Sequence, residues 1–180
     1  MYKRQDDDNS IIGSLHPSLT AGLRLGLDYK GFDFSTFLFG SFGNEIYNFN
    51  RLFTDFSQFE ANVSVERLEN AWSPTNTEGT FPALDQEGLV NHSRSSDYFV
   101  EDGSYVRFET IQIGYTLSNL PSFDGNVRFY ITAQNPFTFT GYSGLDPAIS
   151  NFGRDQSAGG VDFGNYPSNR SVLFGVNLNF

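Results

Sequence analysis

The sequence predicts an all-β chain of antiparallel, up-and-down strands that builds the C-terminal part of a large transmembrane β-barrel, with two long extracellular loops. Three observations carry this reading. The last residues, Arg170 to Phe180, alternate apolar and polar and stop on a bare aromatic. Aromatics make up 17% of the 180 residues, with 20 Phe and 9 Tyr, yet the mean hydropathy is only -0.35. Strand-like stretches are joined by connections that run short, long, short, long. Barrels dilute lipid-facing residues with polar lumen residues, and they pair short periplasmic turns with long outer loops.

The first strand spans about 19–29. Leu19, Ala21, Leu23, Leu25, Leu27 and Tyr29 share one face, and Thr20, Gly22, Arg24, Gly26 and Asp28 share the other. Period 2 over this length matches a tilted membrane-crossing strand of ~9–11 residues. Lys30-Gly31 makes a tight turn into the second strand, about 32–42. There Phe32, Phe34, Leu38 and Phe42 share a face, with Phe37 and Phe39 breaking the pattern. Residues 43–104 show no sustained alternation and form the first long loop. Phe56, Phe59 and Val63 have roughly helical spacing, so one or two short helices are expected within 54–70.

The third strand spans about 104–117. Val106 and Phe108 have one parity, and Ile111, Ile113, Tyr115 and Leu117 the other. A one-residue slip of this kind predicts a β-bulge at Glu109–Thr110. Residues 118–125, with Pro121 and Asp124-Gly125, make a turn. The fourth strand, about 126–137, points Val127, Phe129, Ile131 and Ala133 outward. Residues 138–170 form the second long loop, and 171–180 the last strand, with Val172, Phe174, Val176, Leu178 and Phe180 on one face. If the last strand ends at the periplasm, both long loops point outward. Of 21 carboxylates only Asp28, Asp33 and Glu109 fall in these strands, as a hydrocarbon slab requires. Tyr29, Tyr115 and Phe180 lie near the short-turn end, where an interfacial aromatic girdle is expected.

Several function classes are excluded or disfavoured. No stretch approaches the roughly 20 apolar residues of a spanning helix. Zero cysteines exclude disulfides and thiolate metal sites. A net charge of -10 argues against nucleic-acid binding. His16 and His92 lie among Ser and Asn without partners at ligand spacing, and the acidic residues 6–8 and Asp97, Glu101 and Asp102 lack EF-hand spacing. The 153–160 stretch lacks the Gly-Lys-Ser/Thr ending of a phosphate loop. No catalytic motif and no cofactor site is found. No signal peptide is visible at Met1, so the envelope reading places the natural N-terminus upstream.

Tyr29-Lys-Gly-Phe-Asp33, Gly40-Ser-Phe-Gly-Asn44, Glu101-Asp-Gly-Ser-Tyr-Val-Arg107, Ile113-Gly-Tyr-Thr-Leu117, Gln134-Asn-Pro-Phe-Thr-Phe-Thr140, Tyr142-Ser-Gly-Leu-Asp-Pro147, Tyr166-Pro167 and the terminal strand follow one another along the chain. In the order and spacing of these stretches the chain resembles the C-terminal part of SusC/RagA-type TonB-linked outer-membrane transporters. The chain departs from the pattern at Pro136, where Leu is expected, and at Ala148, where an acid is expected.

The resemblance implies a large barrel in a Gram-negative outer membrane, importing oligosaccharides or peptides with a SusD-like surface lipoprotein. TonB would act through N-terminal parts this sequence lacks, as it lacks the signal peptide, the plug and the earlier strands. The face of Val172, Phe174, Val176, Leu178 and Phe180 would be read by the barrel-assembly machinery and then meet lipid. Trp72, Tyr98, Tyr142, Asp146 and Tyr166 are the candidate loop contacts to substrate or lipoprotein. Self-packing of the long loops is the plainer account of their aromatics. The competing reading of the whole chain is a soluble β-sandwich glycan-binding module.

Overall fold

The computed structural model describes residues 10–56, 62–81, 83, 96–118, 125–149 and 159–180. Residues 6–8, Phe59, His92, most of the 118–125 turn and residues 153–158 lie outside the described residues. In chain order the strands are β1 (Leu19–Tyr29), β2 (Phe32–Phe42), β3 (Glu45–Asn48), β4 (Val100–Asp102), β5 (Tyr105–Ser118), β6 (Asn126–Thr140), β7 (Val161–Asp162) and β8 (Ser171–Asn179). Two short helices are α1 (Arg51–Asp55) and α2 (Val65–Glu69), and a 3-10 turn covers Asp97–Phe99. The chain divides into two compact units. One holds Met1–Leu15, Glu45–Glu101 and Ile149–Asn165; the other holds His16–Asn44, Asp102–Ala148 and Tyr166–Phe180.

The second unit is a five-stranded antiparallel sheet in the order β1-β2-β5-β6-β8. Sequential neighbours pair, as up-and-down topology requires. The β1–β2 hairpin closes through Lys30 at φ 48 and Gly31 at φ 86. Two positive φ values make a primed turn, whose twist matches that of the strands. Register then sorts the side chains. Leu27, Phe34, Ile113, Ile131 and Phe174 line up across the sheet on one face. Asp28, Asp33, Gly114, Tyr130 and Gly175 line up on the other.

The apolar face stays open: Leu23, Leu25, Leu27, Ile113, Phe129, Val172, Phe174, Val176 and Leu178 are all exposed. Aromatics bracket its aliphatic middle. At the short-turn end Phe32 stacks on Tyr115 with ring centroids 4.4 Å apart. At the loop end Phe108 meets Phe137 and Phe139 edge-on at 6.3 and 6.4 Å. From Phe32 to Phe42 is about 33 Å along a strand. At the ~40° tilt usual for barrels this is about 25 Å of depth, the height of an outer-membrane apolar band.

The phase slip predicted at Glu109–Thr110 is present. Phe37 pairs with Thr110 and Leu38 with Phe108, so Glu109 has no partner on β2. On the other side Phe108 pairs with Phe137 and Thr110 with Gln134, leaving Asn135 and Pro136 opposite Glu109. Pro136 has no N–H to lose there, so a Pro inside a central strand is tolerated. The hydroxyl of Thr36, a buried polar group on the apolar face, donates to the Thr110 carbonyl at 3.0 Å. Beyond the bulge β6 continues to Thr140, three residues past the expected end at Phe137. Phe180 lies just outside β8 and is wholly exposed.

The first unit is where expectation and structure differ most. Residues 43–104 are not strandless: β3 pairs with β4 on one side and with β7 on the other in a small sheet. Strands of four, three and two residues are too short to show alternation in sequence. Two helices do form, but the first begins at Arg51, before the expected window, and Val63 belongs to neither. Leu52, Phe56 and Phe99 make this unit's core, with Tyr47, Phe49 and Tyr98 packed against it.

Candidate functional site

Three arrangements of side chains could carry function. The first is a cleft at the loop end of the sheet, lined by Arg107, Asn135, Thr138, Asp146, Tyr166 and Arg170, among others, with a volume of about 430 Å³. Arg107 has the same parity as Phe39 and Thr138, so it stands on the polar face. Its Nε donates to Thr138 Oγ1 at 2.9 Å and its Nη1 to Ser168 Oγ at 2.9 Å. Its Nη2 donates to Asp146 Oδ1. Asp146 also accepts the Ser168 N–H at 2.8 Å and the Ala148 N–H at 2.9 Å. Burial alone would raise the Asp146 pKa; the Ser168 and Ala148 N–H groups and the Arg107 guanidinium outweigh it and hold the carboxyl below its ordinary range. One carboxylate thus ties residue 148, residue 168 and strand β5 together at the neck of the second long loop.

The second arrangement lies on the polar face nearer the short turns. Arg128 grips Asp33 with two bonds, Nε to Oδ1 at 2.8 Å and Nη2 to Oδ2. Nη2 also donates to Gln112 Oε1 at 3.1 Å, and Gln112 Nε2 donates to Thr132 Oγ1 at 2.8 Å. The pair bridges β2 and β6 across β5, and Gly114 makes the crossing possible. A Cβ there would lie 2.6 Å from Asp33 Oδ2 and 2.7 Å from Arg128 Nη2. The third arrangement is the apolar face itself, including Val172, Phe174, Val176 and Leu178 on β8.

No protein-family model matches the chain. Individual relatives do. It is 38% identical over 183 residues to TonB-dependent receptor P3 of Formosa agariphila, an alignment covering 96% of this chain and 17% of the relative. It is 35% identical over 165 residues to TonB-dependent receptor SusC of Bacteroides thetaiotaomicron, covering 88% of this chain and 15% of SusC. In three dimensions it superposes on a chain of the RagAB peptide importer in its closed-closed state with a TM-score of 0.81 at 26% identity, over 99% of this chain and 19% of that one. The chain belongs to the SusC/RagA type of TonB-dependent receptors. It spans less than a fifth of the length of these relatives.

Within this SusC/RagA-type segment the five loop residues singled out from sequence divide. Asp146 and Tyr166 line the same cleft, and Tyr166 is 88% exposed. Tyr142 is buried in the same loop and donates its N–H to Thr140 Oγ1 at 3.1 Å. Tyr98 belongs to the core of the other unit. Its hydroxyl donates to Asp55 Oδ2 at 2.7 Å, and Arg51 lies 4.4 Å from its ring centroid. Burial and the bond to Asp55 push the Tyr98 hydroxyl's pKa well up. Trp72 is exposed beside the Ala71–Phe81 bridge, its N–H bonded to the Phe81 carbonyl at 2.9 Å. Self-packing therefore accounts for Tyr98 and Tyr142.

Arg107 and the Asp33–Arg128 pair were missed as site residues. Their signal was available: charged residues inside alternating strands are rare and need a partner on the polar face. The Ala148 departure from the family pattern also gains an explanation. That position serves Asp146 through its backbone N–H, which any non-proline residue supplies.

Proposed function

We propose that this chain is part of the wall of an outer-membrane, TonB-dependent importer of oligosaccharides or peptides that works with a SusD-like surface lipoprotein. The carrying observation is the two-faced sheet. One face is apolar and exposed across five strands, with aromatics at both ends; the other holds a satisfied polar network. Exposed apolar area of this extent calls for lipid. Strands β1 and β8 leave two sheet edges, which a bilayer does not tolerate, so further strands must complete the wall. The terminal strand is the element the assembly machinery would read, and TonB would act through parts outside this chain. Tyr166 and Trp72, the exposed loop aromatics, are the proposed contacts to substrate or lipoprotein; Asp146, Tyr142 and Tyr98 hold the loops that present them. The relatives' names, receptors and a peptide importer, support transport rather than catalysis.

A soluble β-sandwich would need a second sheet over the apolar face, and among the described residues those side chains are open. The two readings separate by site-directed spin labelling of the full-length protein in bilayers. Nitroxides at Phe129 and Phe174 should be relaxed by oxygen, which concentrates in acyl chains. Labels at Thr132 and Gln134 should respond to a water-soluble nickel reagent. Labels at Phe129 and Phe174 shielded from both reagents would defeat the barrel reading.

A further inference from the structure

We propose that the cleft at the loop end of the sheet binds a carboxylated sugar, with Tyr166 supporting the ring, Arg170 pairing with the carboxylate, and Asn135 and Thr138 taking hydroxyls. This rests on the importer reading and deepens it by naming a ligand class. At about 430 Å³ the cleft falls in the range of small-ligand sites, roughly 300–1,000 Å³.

Its charges decide the chemistry. Arg107 is already neutralised by Asp146, it also donates to Thr138 and Ser168, and it is almost wholly buried. Arg170 is the other cation of the lining, it is exposed, and among the described residues it has no carboxylate partner. The cleft therefore presents one uncompensated positive charge in a chain whose net charge is -10. A guanidinium matches a carboxylate with two parallel hydrogen bonds.

The neutral groups point to a sugar as the carrier of that carboxylate. Tyr166 lines the same cleft and is 88% exposed. An aromatic ring left so open contributes nothing to packing, and its face suits the C–H side of a pyranose. Asn135 is held at φ 48 by the bulge, and its Nδ2 donates to the Asn169 carbonyl at 3.1 Å. Its Oδ1 is thereby set as an acceptor. Thr138 Oγ1 accepts from Arg107, so its own hydrogen is available to a ligand. A sugar hydroxyl can both donate to the first and accept from the second.

Asp146 is a positioning residue in this account: it cancels Arg107 and anchors Ser168, two residues before Arg170.

The test uses the full-length protein purified in detergent and titrated calorimetrically with three probes: an oligouronate trisaccharide, a neutral trisaccharide and an acidic tripeptide. The oligouronate should bind at least about tenfold more tightly than the neutral sugar, the preference expected of a charge-assisted bond. Its affinity alone among the two sugars should fall between 50 and 200 mM salt. Arg170→Gln should abolish the preference, and Arg170→Lys should restore much of it. Tyr166→Ala should weaken both sugars alike, by about threefold to tenfold. Equal binding of the two sugars, an unchanged preference in Arg170→Gln, or tighter binding of the tripeptide would each overturn the proposal. Heat-modifiable migration of every variant, together with uptake by cells, keeps the two readings apart. A barrel that assembles and imports without preferring oligouronate removes the ligand class alone; a chain that forms no barrel removes the importer reading itself.

Discussion

Replacing Asp146 by Asn should release the neck of the second long loop while leaving the sheet intact. The carboxylate takes a guanidinium bond and two backbone N–H bonds. The amide keeps one acceptor oxygen and loses the charge, so one N–H is stranded and Arg107, 4% exposed, becomes a buried cation without a counter-charge. A bond to a charged group is worth about 1.5–3 kcal/mol and a stranded buried donor costs about 1–3 kcal/mol. Because the loop can relax toward water, the low ends apply, giving about 2.5 kcal/mol and roughly a seventyfold rise in local opening. Hydrogen exchange of the full-length protein in nanodiscs reads this directly at the Ala148 and Ser168 amides. The double variant with Arg107→Met should cost little more than Asp146→Asn alone, since both remove one interaction.

The same carboxylate sets a pH signature. Its folded pKa lies below the ordinary value of 3.8. Such a group contributes its full stabilisation above the unfolded pKa and loses it as pH falls through the folded one. Extra opening in the native protein should therefore appear only below about pH 4 and be absent in Asp146→Asn. Unchanged exchange at both amides in Asp146→Asn at neutral pH would refute the assignment of Asp146 as the neck's tether.

Other changes test the wall. Gly114→Val should push Asp33 and Arg128 apart and lower the temperature at which the barrel loses its compact migration on semi-native gels, by more than Gly26→Val, whose Cβ meets only a backbone oxygen at 3.9 Å. Deleting Glu109 should erase the bulge yet leave the faces of β5 unchanged, because Phe108 and Thr110 then follow one another opposite Leu38 and Phe37; deleting Gln112 instead should turn one half of β5 inside out, and assembled protein in outer-membrane fractions should fall to background. Removing Phe180 from the full-length protein should reduce assembly in the outer membrane, and an undiminished heat-modifiable yield would count against a role for the terminal aromatic.

Much of the sheet was legible in the sequence because each signal is local. Alternation in 19–29 and 171–180, the Lys30-Gly31 turn and the parity change around Glu109 are short-range patterns, and a one-residue slip reverses every side chain after it. The first unit was less legible. Strands of two to four residues carry no measurable period, and the helices owe their place to packing around Leu52, Phe56 and Phe99.

The chain's own pattern thus determined which side chains share a face, where the strands turn and where one of them slips. The tertiary structure alone decided which polar residues meet. Asp33 and Arg128 are 95 positions apart, and Arg107 and Asp146 are 39. A hydrogen bond needs ångström placement of both partners, and strand order together with register supplies it. For the same reason sequence could name Tyr166 and Asp146 as loop residues but could not show that they, Arg107 and Arg170 enclose one cleft.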